Sequence, residues 1–223
     1  MSETRRGDGD AGYGADGLGD GTDNRRQIPA AYLAAAAKLF RHKGFGAATT
    51  REIASAVGVQ KSTLYHYIDS KEELLLRLSQ DAISEVLSGA SAVMATDDPP
   101  VDRLRHIIRL HLEAVLDRTD EHMTQLIELR SLPPTYREEI VTLRDGYESI
   151  VVDCVRECQD AGDIERDLSP RMLVLALMGL LNWSIFWFRS DGTLTVQQLS
   201  EILTRIFLFG VTDRINEPPP IST

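Results

Sequence analysis

The sequence predicts an all-α protein of about nine helices, and three observations carry that expectation. Apolar residues recur at helical spacing along most of the chain. Pairs of Ser or Thr with Glu or Gln three residues later open successive runs, and Gly or Pro closes them. No segment shows the strict alternation of a strand. With 223 residues, 43% of them hydrophobic, the chain can bury a core in one large or two modest domains.

The elements follow in order. Residues 1–24 are rich in Gly and Asp and poor in large apolar groups, so they are expected to be disordered. A first helix is expected over 28–42, with Ile28, Tyr32, Ala35, Leu39 and Phe40 in phase and Gly44 and Gly46 beyond its end. Thr49 with Glu52 forms a capping box for a short helix through Val57 that turns Ile53, Ala54 and Val57 inward. Gly58 ends it in a left-handed conformation. A second short helix is expected over 61–67. Ser70 with Glu73 opens a long helix bearing Leu74, Leu75, Leu78, Ile83, Val86 and Leu87.

Asp98-Pro99-Pro100 then breaks the chain. A helix over 101–117 carries Leu104, Ile107, Ile108, Leu112 and Val115, and a shorter one covers 121–129. Pro133 and Pro134 break again, after which Thr135 and Glu138 cap a helix reaching 161, closed by Gly162. Ser169-Pro170 is an N-cap and first-turn pair for an apolar helix to 188. Thr195 with Gln198 opens the last helix, which runs to about 214. Residues 217–223, with three consecutive prolines, read as a tail.

Charge is segregated along this framework. The formal net charge is −10, which on totals argues against nucleic acid. Residues 1–24 carry 2 basic and 6 acidic groups, 25–71 carry 8 and 2, and 72–223 carry 14 and 26. A compact basic module is therefore attached to an acidic body. Two cysteines, Cys154 and Cys158, make no disulfide framework and no zinc cluster. There is no secretory h-region, and the apolar stretch from Met172 to Phe188, broken by Asn182 and Ser184, reads as a core helix. A reducing, cytoplasmic setting without membrane attachment is expected.

The basic module has the geometry of a helix-turn-helix: two short helices around a glycine turn, preceded by a longer one. A major groove admits one helix, whose side chains reach base edges while its N-terminus meets phosphate. Gln60, Lys61, Ser62 and Thr63 open the second short helix; Tyr65 and His66 offer polar ring atoms one turn on. Thr50, Arg51 and Lys71 flank it as backbone anchors. Leu64 and Ile68 are placed to pack against the first helix. The competing reading is a small helical subdomain whose solvated basic face docks an acidic protein.

The residues here also carry a resemblance. Thr50-Arg51-Glu52-Ile53-Ala54, Ala56-Val57-Gly58-Val59, Ser62-Thr63-Leu64-Tyr65-His66-Tyr67 and Ser70-Lys71-Glu72-Glu73-Leu74 resemble the signature of TetR/AcrR-type transcriptional regulators. The resemblance implies a DNA-binding domain over 25–71 and a helical ligand-binding and dimerisation domain over 72–216. It places Thr49 and Thr50 at the start of the helix before the turn and makes 60–66 the recognition helix. Tyr65, His66 and Lys71 become phosphate contacts. Ser62 stands where glycine is often found and is small enough to keep the close approach.

The resemblance further implies a ligand-responsive homodimeric repressor on a double-stranded operator. In the family the last two helices usually form the dimer seam, here expected through Leu173, Leu177, Leu180, Leu199, Leu203, Ile206 and Phe207. Asn182-Trp183, Trp187-Phe188 and Asp191-Gly192, with the segments at 128–132 and 143–147, resemble the subgroup that includes repressors of fatty-acid and steroid catabolism. That implies a small hydrophobic or acyl-CoA-type effector near Glu128, Arg130, Tyr147, Asn182, Trp183, Phe186 and Trp187. Phe186 stands where that subgroup often has arginine. Asn182 is the most suggestive of these, because an amide in an apolar helix needs a partner. His106, His111 and His122 are expected at the surface or in local hydrogen bonds. No nucleophile, base and orienting group assemble, so neither an enzyme nor a cofactor or metal is expected.

Overall fold

A computed structural model describes residues 27–210. Among these are nine α-helices and no strand. They are α1 (Ala30–Lys43), α2 (Thr50–Ala56), α3 (Lys61–Leu64), α4 (Lys71–Met94), α5 (Pro100–Asp117), α6 (Thr119–Ile127), α7 (Pro134–Ala161), α8 (Pro170–Trp183) and α9 (Val196–Gly210). Short 3-10 turns follow α6 at Glu128–Ser131 and α8 at Ser184–Phe186. The expectations for 1–24, for 217–223 and for the end of the last helix lie outside the described residues.

Local signals set most boundaries. Thr49 accepts from the Glu52 N–H while the Glu52 carboxylate accepts from the Thr49 N–H, a complete capping box at α2. Thr195 and Gln198 repeat it at α9. At α4 the box is displaced: Ser70 accepts from Glu73 N–H at 3.0 Å, but the Glu73 carboxylate takes the Asp69 N–H at 2.7 Å.

Five expected helices differ in extent by two residues or more, the first starting at Ala30 and α6 covering Thr119–Ile127 instead of 121–129. The second short helix ends at Leu64, and Tyr65–Tyr67 wind on through i→i−3 bonds from His66 and Tyr67. The tighter winding brings Ile68 under the same core as Leu64. Helix α7 starts at Pro134, not after Thr135, because proline fits a first helical position where a missing N–H costs nothing. Helix α8 stops at Trp183, where Ser184 Oγ donates to the Leu181 carbonyl at 2.6 Å and the chain tightens into a 3-10 turn.

Two apolar cores form. One joins Leu33, Phe40, Ile53, Leu64 and Ile68 of the N-terminal module to Leu74, Leu75 and Leu78 of α4, with Leu132 and Ile140 of the body. The other packs the second half of α4 against α5, α7, α8 and α9. Helix α4, 24 residues and about 36 Å long, is common to both.

The expected seam residues lie mostly on the inner faces of their helices. Leu173, Leu177, Leu199, Leu203 and Phe207 are buried within the protomer's own core, and Leu180 packs against it; only Ile206 of that set points outward. Helical phase separates two stripes. In nearly all-apolar helices the inward stripe and the outward stripe look alike in sequence. The outward stripe is Met172, Leu175, Ala176, Gly179 and Trp183 on α8, with Ile202, Ile206 and Phe209 on α9.

Gly162 caps α7 in a left-handed conformation (φ 85°), bonded back to the last turn. A Cβ there meets nothing within 4 Å, so Gly162→Ala adds only backbone strain. We expect it to lower unfolding stability by about 1 kcal/mol in urea denaturation.

Candidate nucleic-acid interface and effector cavity

The interface is built on the turn between α2 and α3. Leu64, fully buried, pins α3 to the module core, and Gly58 (φ 74°) makes the turn that α2 and α3 require. Gln60, Lys61, Ser62, Tyr65 and His66 are left exposed, with Thr50 and Thr63 half-buried beside them and Arg51 exposed on α2. Thr50 Oγ1 and Tyr65 OH lie 3.2 Å apart, so the helix before the turn holds the Tyr65 phenol in place. The Lys61 ammonium sits 5.2 Å from the Tyr65 ring centroid.

Two expected contact residues are committed elsewhere. Thr49 Oγ1 accepts from Glu52 N–H and donates to the Glu52 carboxylate, so its hydroxyl is spent on the cap. Lys71 Nζ donates to the carbonyls of Phe45 at 2.6 Å and Ala48 at 3.0 Å and lies over the Phe45 ring. Its ammonium ties the α1–α2 loop to α4. Lys43 pairs with Glu52, whose pKa falls to about 2 through that bond and the Thr49 contacts.

The body contains a cavity of about 120 Å3 between α4, α5, α6, α7 and α8. Ile83, Val86, Leu126 and Met178 line it with His111, His122, Gln125, Arg144, Tyr147, Glu148 and Asn182. His111 joins three helices: its Nδ1 lies 2.9 Å from Tyr147 OH and its Nε2 3.3 Å from Asn182 Oδ1. A neutral imidazole meets both demands, accepting from the phenol at Nδ1 and donating to the amide oxygen from Nε2. Arg144 donates to the Gln125 carbonyl at 2.8 Å and to its side-chain oxygen, and burial lowers its pKa.

Tyr147 and Asn182 thus line the cavity, the amide with the partner that its apolar helix demanded. His111 and His122, expected at the surface or in local hydrogen bonds, are buried at 5% and 3% exposure, His111 with hydrogen bonds to Tyr147 and Asn182. His111 faces α7 and α8, and His122 lines the cavity from α6. In the sequence His111 keeps phase with buried Ile107, Ile108 and Val115, the signal that marks it as inward-facing. The other candidates lie elsewhere. Trp183, Phe186 and Trp187 are 64%, 49% and 47% exposed and outside the cavity lining, because α8 gives way to a 3-10 turn that carries the last two outward. Arg130 is exposed on the turn after α6. Glu128 joins the two domains: it accepts from the Phe45 N–H at 3.0 Å and from Ser131 Oγ at 2.7 Å.

Helix α6 therefore has two working faces. His122 and Gln125 look into the cavity. Asp120 pairs with Arg41, Thr124 Oγ1 donates to the Ala37 carbonyl at 3.2 Å, and Glu128 just beyond holds Phe45, all toward α1 and its loop. Arg118 fixes the start of α6 to Asp81 at 2.7 Å and Glu85 at 3.0 Å on α4.

With this geometry in view, the sequence was compared with known proteins. Residues 33–78 match "Bacterial regulatory proteins, tetR family" and residues 97–211 match "Tetracyclin repressor-like, C-terminal domain". The chain belongs to the TetR family. It is a DNA-binding transcriptional regulator, not an enzyme. Relatives include the transcriptional repressor KstR2 of Mycolicibacterium smegmatis, 24% identical with 81% of this chain and 88% of the relative covered. The transcriptional activator FasR of the same species is 32% identical over 71% of each chain. Among solved structures, the TetR-family regulator PfmR of Thermus thermophilus is 29% identical with a TM-score of 0.73, covering 80% of this chain and 97% of that one. AibR in complex with isovaleryl coenzyme A and operator DNA is 26% identical with a TM-score of 0.71, covering 79% and 96%.

The buried histidines give this TetR-family protein a pH signature. Burial holds His111 at about 4 and His122 at about 3, against an ordinary 6.5. The surrounding titratable groups are each other, Arg118, Arg144, Tyr147 and Glu148. Below pH 6.5 the unfolded chain takes up protons that the folded chain refuses. Stability is therefore full above that value and falls as pH drops toward 4, by at most about 1.4 kcal/mol per unit for each ring. We expect urea midpoints to decline from pH 7 to pH 5, and His122→Leu to flatten that decline.

Proposed function

We propose that the protein represses transcription in the cytoplasm as a homodimer on a double-stranded operator and is released by a small hydrophobic or acyl-CoA-type effector. The observation that carries the DNA reading is the exposed polar run Gln60–His66, held rigid from behind by buried Leu64 and from the side by the Thr50–Tyr65 contact. Lys61 and Ser62 lie at the start of α3, with Thr63, Tyr65 and His66 behind them; Thr50 and Arg51 flank the groove wall from α2. Thr49 and Lys71 act indirectly, by capping α2 and by holding the α1–α2 loop.

The outward stripe on α8 and α9 supports the dimer. A contiguous face of Met172, Leu175, Trp183, Ile202, Ile206 and Phe209, on helices otherwise packed into the core, is costly to leave in water. Two such faces meeting about a two-fold axis present two recognition helices to successive major grooves. Phe186 and Trp187 flank this face, which makes them seam residues in the proposed dimer.

The cavity is the effector site in this reading, and α6 is the route from it to the DNA. An effector that stabilises a shifted position of His122 and Gln125 pulls Asp120, Thr124 and Glu128 with them. Helix α1 and its loop follow, and Arg118 carries the displacement to α4. Release requires that the effector bind the shifted arrangement more tightly than the DNA-competent one. The isovaleryl coenzyme A in the AibR complex supports the effector class.

Gel-shift titration against DNA upstream of the protein's own gene tests the reader. Lys61→Ala and Tyr65→Phe are each expected to weaken specific binding, and Lys61→Ala to reduce the salt slope by about one. Lys71→Ala is expected to lower thermal stability. Unchanged operator affinity in both Lys61→Ala and Tyr65→Phe overturns the assigned face. Ile206→Glu is expected to give a folded monomer by light scattering, whereas Leu203→Glu destabilises the protomer itself.

A further inference from the structure

The cavity's polar lining pairs off almost completely. His111, Tyr147 and Asn182 satisfy one another, Gln125 occupies Arg144, and Glu148 lies beside that guanidinium. His122 is the exception. It is 3% exposed, it lines the cavity, and its Nε2 has no hydrogen-bond partner among the described residues. A buried polar atom left so costs about 1–3 kcal/mol, a cost that a correctly placed ligand atom removes. Facing it are Ile83, Val86 and Met178, which furnish an apolar wall. The cavity is small, about 120 Å3, below the range of about 300–1,000 Å3 usual for a drug-sized ligand, which suits a short acyl group over a long chain.

We propose that His122 reads an uncharged oxygen group on the effector, a thioester, ester or ketone carbonyl, and that the cavity rejects the free carboxylate of the same chain. This deepens the effector reading above and rests on it. The cations near the ring have acidic neighbours: Glu148 acts on Arg144 through space, Gln125 takes its N–H donors, and Arg118 pairs with Asp81, Glu85 and Glu121. An entering carboxylate gives up its water without gaining an unmatched cation. Burial also keeps both imidazoles neutral, so neither supplies the missing charge. A carbonyl needs only one N–H, which a neutral imidazole has. The discrimination follows from the closed polar inventory of the site and not from its shape.

The test uses the full-length protein with ring-15N histidine and three matched probes: S-methyl 3-methylbutanethioate, 4-methyl-2-pentanone and 3-methylbutanoate. Titration at neutral pH is followed by NMR. The thioester and ketone are expected to bind and shift the His122 ring resonances, and the carboxylate to bind at least about tenfold more weakly. His122→Leu is expected to weaken the thioester about tenfold, and His122→Gln to recover part of the loss. Equal carboxylate binding at neutral pH overturns the neutral-head proposal and leaves the cavity as the effector site. Unchanged thioester affinity in His122→Leu overturns the role of His122. Should that variant fail to fold, the wild-type ranking of thioester against carboxylate decides the proposal. If none of the probes perturbs the cavity of the wild-type protein, the effector reading itself falls.

Discussion

One helix belongs to both hydrophobic cores, and the behaviour of the molecule depends on that continuity. The first half of α4 packs Leu74, Leu75 and Leu78 under the DNA-reading module, and its second half packs Val86, Ala90 and Val93 into the body. Neither core can shift along α4 without the other sensing it, since close-packed interiors transmit displacement instead of absorbing it. Helix α6 adds a second connection in parallel. Its contacts to α1 are polar and directional, through Asp120, Thr124 and Glu128. A greasy spine and a polar strut thus join the same two bodies, one insensitive to small rotations and the other sensitive to them.

The polar interior of the cavity fits that division. A dry apolar pocket accepts many ligands of similar volume, whereas a site whose donors and acceptors are nearly all matched tolerates few. The His111 bonds to Tyr147 and Asn182 hold α5, α7 and α8 in register. They also fix the wall opposite α6. The cavity is therefore cross-linked through three helices and closed by α6 on the side that reaches the DNA-binding module.

Much of the fold was legible in the sequence because its signals are local. The capping boxes at Thr49 and Thr195, the left-handed Gly58 and Gly162, and the Ser169-Pro170 start all lie where the sequence puts them. The exposed reader was legible for the same reason, since the turn around Gly58 and the run from Gln60 to His66 are contiguous. What was not legible depends on phase and distance. On α8 and α9 apolar residues occupy both sides, so the sequence does not separate an inward stripe from an outward one. Glu128 accepts from Phe45, 83 positions away. Lys71 carries the same charge as a phosphate anchor and spends it on carbonyls that only the folded loop brings together. His111 and His122 are drawn together by the packing of α5 and α6, which no spacing rule reports.

The outward apolar stripe has a consequence for gene dosage. With that face as the dimer seam, a newly made protomer is incomplete, and the fraction paired depends on how much protein the cell holds. When protomers are scarce, the amount of paired regulator falls roughly as the square of their concentration. A modest cut in synthesis then opens an operator more sharply than it would for a reader that works alone. Abundance becomes a second input beside the effector, set by Trp183, Ile206 and their neighbours and independent of the cavity.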